Sequence, residues 1–307
     1  MRPMAERWTE LRVTVSSGWQ ELVGDTLAAF SGGSVAFGRS SLAAEAPPPG
    51  SEVVRAFVAN APDVDALEAD ARRALSDLAA QVGAPELEQI ELLVKPLPPE
   101  DWAASWRKSW RPFRVGRLAL VTPDWTGPLR ANDLRLQMEP SGSFGTGRHP
   151  TTRECLRILG EIDLRGARVL DAGSGSGLLS VAACVLGADF ALGFDIDERS
   201  PDAGRDLATA NGVAGACEFR LGDFSALADQ SEPFDVVVAN IYSDVLQVHA
   251  HDLGQRLSPS GCAVFSGCPD RHRERVQRAL ETAGFRVPEV RQRGRWCTFL
   301  AHPAGSA

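Results

Sequence analysis

The sequence predicts an α/β chain in two parts, a small α+β domain followed by an open, doubly wound, mostly parallel sheet. Three observations carry the prediction. The chain has 307 residues, more than the roughly 100 to 200 of an ordinary single domain. Its first third carries strand and helix signals in the order β-α-β-β-α-β. From residue 168 strands and helices alternate, and the first of these strands runs into a glycine turn that opens a helix.

Residues 8–15 alternate, with Leu11, Val13 and Val15 on one face, and residues 19–30 place apolar groups at helical spacing. Short strands follow at 34–37 and 53–60, separated by the loop AEAPPPGS. In the next helix Val64, Leu67, Ala71, Leu75, Leu78 and Val82 step by three or four, with Asp63 as N-cap, Gly83 at the C-terminal cap and Pro85 beyond. A strand at Gln89–Val94 completes a ferredoxin-like domain over residues 1–97. Residues 98–133 read as a linker rich in Trp and Arg. Trp102, Trp106 and Trp110 share one helical face there, expected to be a docking seam, with a protein-binding stripe as the alternative.

The third part, residues 134–307, begins with MEPSGSFGTGRHPTTRECLRIL. Thr151 and Glu154 have the spacing of a capping box for a helix starting near Thr152. The FGTG run ahead of it is more flexible than a cap requires, so it can close over a ligand and present the Thr152 hydroxyl to it. His149 has no visible acidic or nucleophilic partner, and a structural hydrogen-bonding role is favoured over a general base.

In RVLDAGSGSGLLSVAACVLG a strand ends at Asp171 and a turn with Gly173, Gly175 and Gly177 leads into a helix. The G-x-G-x-G spacing is not the G-x-G-x-x-G of dinucleotide dehydrogenases. The acid before the glycines is typical of S-adenosylmethionine folds. The next strand, ALGFDID, places Asp195 at its carboxyl end, 22 residues after Gly173, where a carboxylate can hold both hydroxyls of a ribose. FRLGDF supplies Asp223, a candidate for an adenine amino group with a solvated turn acid as the alternative. FDVVVAN runs apolar into Asn240, a polar group in the crevice where such sheets bind ligands. GFRVPEV and RWCTFLAH flank a turn and predict a terminal antiparallel hairpin, completing a seven-stranded sheet.

Composition bounds the function. The net charge is −8, from 32 basic and 40 acidic residues, which argues against general nucleic-acid binding by phosphate neutralisation. The six cysteines form no C-x-x-C pair, so buried thiols in a reducing compartment are expected rather than zinc or disulfides, and no metal is expected. The N-terminal residues carry no signal-length apolar run, and no stretch suits a membrane of about 30 Å. A cytosolic protein, most simply a monomer, is the expectation.

FGTGRHPTT (144–152), LDAGSGSG (170–177), GFDID (193–197) and VVVANI (236–241), with EDWAASWRKSWRPFRVG (100–116) ahead of them, resemble the PrmA family. That family methylates the ribosomal large-subunit protein L-eleven (L11). The resemblance covers nearly the whole chain and is strongest over about 100–300. It implies a class I S-adenosylmethionine-dependent methyltransferase domain and a ferredoxin-like domain that recognises the protein substrate. Cofactor contacts then fall on Thr152, Gly173, Asp195 and Asn240, with Gly175, Asp171 and Asp223 as further candidates. Two departures stand out. Ser174 replaces the usual Cys, and the usual I-L-A-x-P-L after Asn240 becomes Ile241, Tyr242, Ser243, Asp244, Val245, Leu246.

The implied reaction is in-line attack by an amine on the sulfonium methyl, with lysine side chains of L11, and its N-terminal amine, as targets. The Asn240 side-chain oxygen and the backbone carbonyl of Ile241 are expected to orient the amine. Three alternatives stay open: a methyltransferase of the same scaffold acting on another protein lysine, a catalytically silent cofactor-binding adaptor, and a nicotinamide dehydrogenase.

Overall fold

The computed structural model describes residues 8–16, 18–31, 35–37, 50–61, 63–97, 112–138 and 147–305. The chain divides into two compact units, with a boundary between Arg111 and Pro112.

In the first unit, β1 (Trp8–Ser16), α1 (Gln20–Ser31), β2 (Val35–Phe37), β3 (Ser51–Ala59), α2 (Val64–Val82) and β4 (Leu92–Leu97) follow in the expected order. The strands form an antiparallel sheet in the order β2-β3-β1-β4, the split β-α-β arrangement of a ferredoxin-like fold. The alternating face of β1 forms the core: Leu11, Val13 and Val15 are buried against Val23 and Leu27 of α1 and Ala71, Leu75 and Leu78 of α2. The caps of α2 are those its sequence specifies. Asp63 accepts from the backbone N–H groups of Asp65 (2.9 Å) and Ala66 (3.1 Å), and Gly83 turns left-handed.

The last strand lies three residues later than expected, at Leu92–Leu97 and not Gln89–Val94, because Pro85–Leu87 forms a 3-10 turn first. Pro96 is tolerated because β4 is an edge strand.

The linker expected over 98–133 is corrected in its second half. Residues 113–137 form a small sheet of β5 (Phe113–Val115), β6 (Leu118–Val121) and β7 (Leu134–Gln137) belonging to the second unit. Val115, Leu118, Leu120 and Leu136 are buried in it, and a 2.6 Å ion pair joins Arg114 to Asp133. The tryptophan stripe at 102, 106 and 110 lies outside the described residues, as do Phe144–Thr146 of the FGTG loop.

The rest of the second unit is the seven-stranded sheet. Its strands are β8 (Arg168–Ala172), β9 (Phe190–Asp195), β10 (Cys217–Leu221), β11 (Phe234–Asn240), β12 (Leu257–Pro269), β13 (Phe285–Arg293) and β14 (Trp296–Pro303). They lie in the order β10-β9-β8-β11-β12-β14-β13, and only β14 runs against the others. The helices are α3 (Pro150–Glu161), α4 (Leu178–Val185), α5 (Ser200–Ala210), α6 (Ser243–Arg256) and α7 (Arg273–Thr282). Phe234, Phe265 and Phe299 are fully buried at the centre with Leu170, Leu192 and Val237.

Strand order reverses between β8 and β11, so a crevice opens at their carboxyl ends, where open α/β sheets bind ligands. Among the described residues no helix is long and apolar enough to cross a membrane. All six cysteines are free thiols.

Candidate active site at the carboxyl edge of the sheet

The loop after β8 takes its shape from the strand beside it. The N–H groups of Gly173 (2.9 Å) and Ser174 (3.0 Å) both donate to the carbonyl of Phe194, and the Gly175 N–H donates to Asp195 Oδ2 at 2.7 Å. Asp195 Oδ1 accepts from the Asp197 N–H at 2.9 Å. One carboxylate therefore fixes both the glycine loop and the turn leaving β9. Gly173 needs to be glycine twice over: its φ is +73°, and a Cβ there would run into Ile241 Cγ2.

Asp171 lies behind this loop, fully buried, and accepts from the N–H (3.0 Å) and hydroxyl (2.7 Å) of Ser180 through Oδ2. Its Oδ1 is buried without a hydrogen-bond partner. Burial pushes this carboxyl up to about 7, against the opposing pull of Ser180.

At the end of β11, Asn240 Nδ2 donates to Thr152 Oγ1 at 3.1 Å. The bond commits the amide nitrogen and presents Oδ1 as the acceptor. It also alters the expectation for Thr152, whose hydroxyl is buried and accepts from Asn240 instead of standing open to a ligand.

The capping box is corrected as well. Pro150 takes the first helical position of α3, so His149 becomes the N-cap, its Nδ1 receiving the Thr151 N–H. Glu154 then falls on the buried face, paired with Arg157 and, at 2.9 Å, Arg293. His149 lies edge-on to Trp296 at 5.0 Å, and burial lowers it to about 4, leaving a neutral imidazole in a structural place.

Asp223 follows β10 and caps the short turn Phe224–Leu227 through a 2.8 Å bond from the Ser225 N–H, and hydrogen bonding by the Ser225 side chain, then by this N–H, lowers its carboxyl. The neighbouring Gly222 N–H donates to the Asp195 carbonyl at 2.8 Å, so Asp223 stands at the same edge. Thus Thr152, Gly173, Gly175, Asp195, Asn240 and Ile241 form one contiguous set, with Asp171 beneath and Asp223 beside it.

Sequence reasoning passed over Ile196, which is 79% exposed between two aspartates at the end of β9. It also passed over Gly267 in β12, which lies against the Ile241 backbone. An apolar residue left in solvent at a ligand-binding strand end was the available signal for Ile196. Phe224, stacked on His249 at 3.9 Å, has no signal in one sequence.

The family model described as ribosomal protein L11 methyltransferase (PrmA) matches residues 7–303. The chain belongs to the PrmA family. A Pelobacter propionicus ribosomal protein L11 methyltransferase is 31% identical over 99% of this chain and 100% of that protein. One from Deinococcus radiodurans is 38% identical over 62% of this chain and 71% of that protein. The crystal structure of ribosomal protein L11 methylase from Lactobacillus delbrueckii subsp. bulgaricus is 27% identical, covering 63% of this chain and 99% of that chain with a TM-score of 0.58.

This PrmA-family chain is accordingly a methyltransferase with S-adenosylmethionine as cofactor. Its own residues fit that cofactor: a glycine cradle that a side chain would fill, an unsatisfied buried carboxylate oxygen at Asp171, and Asp195 at the strand end.

Proposed function

We propose that this chain methylates amino groups of ribosomal protein L11, lysine side chains foremost, in the cytosol. The observation that carries the reading is the Asn240–Thr152 bond, which fixes an amide oxygen as acceptor beside the glycine loop held by Asp195.

When bound, S-adenosylmethionine supplies the electrophilic methyl. The Asp195 carboxylate takes the ribose hydroxyls, and the Gly173–Gly175 backbone and Asp171 take the amino-acid end. Asp223 receives the adenine amino group, and Ile196 covers the base. Asn240 Oδ1 and the Ile241 carbonyl accept the hydrogens of the substrate amine and aim its lone pair. A lysine with pKa about 10.4 must lose its proton first, and desolvation in the crevice beside positive charge favours the neutral amine.

A second reading, another protein lysine as target, rests on the Ile241–Leu246 segment. Its Tyr242 is 73% exposed, Ser243 is tied to His272 at 2.7 Å and Asp244 pairs with Arg275.

Intact-mass spectrometry of purified L11 incubated with this protein and S-adenosylmethionine tests the substrate. Mass additions in steps of one methyl, absent with Asp195→Ala, are expected; unmodified L11 under conditions of confirmed cofactor binding transfers the proposal to the second reading. On the same assay, Asn240→Ala lowers turnover by about 10²–10³-fold, the usual loss of one preorganised polar group at a reacting centre. Thr152→Val, which only releases the Asn240 amide, lowers it about tenfold. Full turnover by Asn240→Ala removes the proposed role.

A further inference from the structure

The carbonyl assigned to the substrate amine is itself held in place, and the holder is one strand away. β11 and β12 run parallel with Asn240 opposite Ser266, so Ile241 emerges beside Gly267. Gly267 has φ +84°, where an L side chain is strained. A Cβ there would also lie inside contact distance of the Ile241 carbonyl oxygen, 2.9 Å from its carbon and 3.1 Å from its nitrogen. The Ile241 backbone thus packs directly on the bare face of Gly267. Its side chain meets Gly173 on the cofactor loop. Ile241 is clamped between two left-handed glycines, one touching its backbone and one its side chain.

Gly267 owes its conformation to an irregularity. Pairing between β12 and β14 shifts register between Phe265 and Cys268, and such bulges re-aim groups next to active sites. The bulge is pinned by Ser266, fully buried, whose hydroxyl lies 2.7 Å from Thr298 Oγ1 on β14.

We infer that Gly267 is a positioning residue for methyl transfer: its bulge sets the Ile241 carbonyl at the height and angle at which it receives the substrate amine. The inference rests on the proposed role of Asn240 and Ile241 in orienting that amine. Gly173 and Gly267 then have separable effects. A side chain at 173 collides with a side chain, whereas one at 267 displaces a peptide group and leaves the ribose and loop contacts untouched.

The test uses the full chain with L11 and three readouts: kcat, the dissociation constant of S-adenosylmethionine by calorimetry, and the carbonyl resonance of Ile241. The last is directly accessible because Tyr242 is the single tyrosine of the chain. Labelling with ¹⁵N-tyrosine and ¹³C-carbonyl isoleucine therefore reports the Ile241 carbonyl alone.

Gly267→Ala is expected to lower kcat about 10²-fold, the loss that follows when a reacting group is misplaced by about 1 Å. Cofactor affinity stays within about threefold and the Ile241 resonance moves. Adding Ile241→Ala does not restore kcat, whereas Ile241→Ala partly restores Gly173→Ala. Thr298→Val, which unpins the bulge without adding an atom, lowers kcat severalfold and shifts the same resonance, and it serves if Gly267→Ala does not fold.

Wild-type kcat in Gly267→Ala or Thr298→Val with a shifted resonance overturns the inference, as does a loss matched by weaker cofactor binding. If Asn240→Ala also keeps full turnover, the amine-orienting reading itself has failed. If Asn240→Ala is inactive, only the role of Gly267 has.

Discussion

Alanine at position 195 lowers the affinity for S-adenosylmethionine by about 10³-fold, two charge-assisted hydrogen bonds to ribose being lost at roughly 1.5 to 3 kcal/mol each. The size follows from the double duty of this carboxylate. Oδ2 holds the Gly175 N–H at 2.7 Å and Oδ1 holds the Asp197 N–H at 2.9 Å, so the group proposed to read the ribose also shapes the loop beside it. Alanine removes the ligand contact and leaves two backbone donors without their acceptor. Asparagine keeps one acceptor oxygen and the side-chain shape, and loses the charge. About 10- to 30-fold weaker binding is expected for it, since hydrogen bonds to a charged group are about twice as strong as neutral ones. Isothermal titration calorimetry of both variants decides the matter. A dissociation constant for Asp195→Ala close to that of the wild type would assign the ribose to another residue.

The place of Asp195 beside the glycine turn was legible in the sequence because it depends on local spacing: a strand, a glycine turn, a second strand ending in acid. The same holds for Asp171, Gly173, Asn240 and the capped helix from Asp63 to Gly83, each fixed by a periodic element and what terminates it. What escaped was set by contacts distant in the chain. β5, β6 and β7 have three or four residues each, too short to show a period, and their burial depends on pairing Leu118 with Leu134. The late start of β4 follows from a 3-10 turn whose Pro-Glu-Leu reads equally well as a loop. Gly267 looks like any glycine in a strand until Ile241, just past the end of the neighbouring strand, is seen lying across it. At Thr151–Glu154 two local signals competed, and Pro150 at the first helical position overrode the capping-box spacing.

The buried carboxyl of Asp171 is expected to make apo stability depend on pH and, through its proposed contact with the cofactor, the cofactor affinity too, with a definite sign. Its folded-state value, about 7, lies above the ordinary carboxylate value near 3.9 because burial disfavours the charge. The folded protein therefore holds this proton more tightly than the unfolded chain. The favourable contribution is complete below about pH 4 and is lost as pH rises from 4 to 7. At pH 8 the ionised form costs the fold up to about 4 kcal/mol, three units at 1.36 kcal/mol each.

Asp171→Asn removes the charge but can keep an acceptor for Ser180, so it raises the apo melting temperature at pH 8 by roughly 5 to 10 °C and has little effect at pH 4.5. Ligand binding at the proposed site is expected to show the opposite preference. An amino-acid ammonium, protonated below about pH 7.7, favours an ionised Asp171. Wild-type affinity for S-adenosylmethionine consequently rises about tenfold per unit between pH 5.5 and 6.5 and levels off above 7, while that of Asp171→Asn is weaker and flat over the same range. Thermal scans and calorimetry at four pH values measure both limbs. A stabilisation by Asp171→Asn that is equal at pH 4.5 and 8 would trace the effect to packing, and a pH-independent wild-type affinity would separate Asp171 from the cofactor's ammonium.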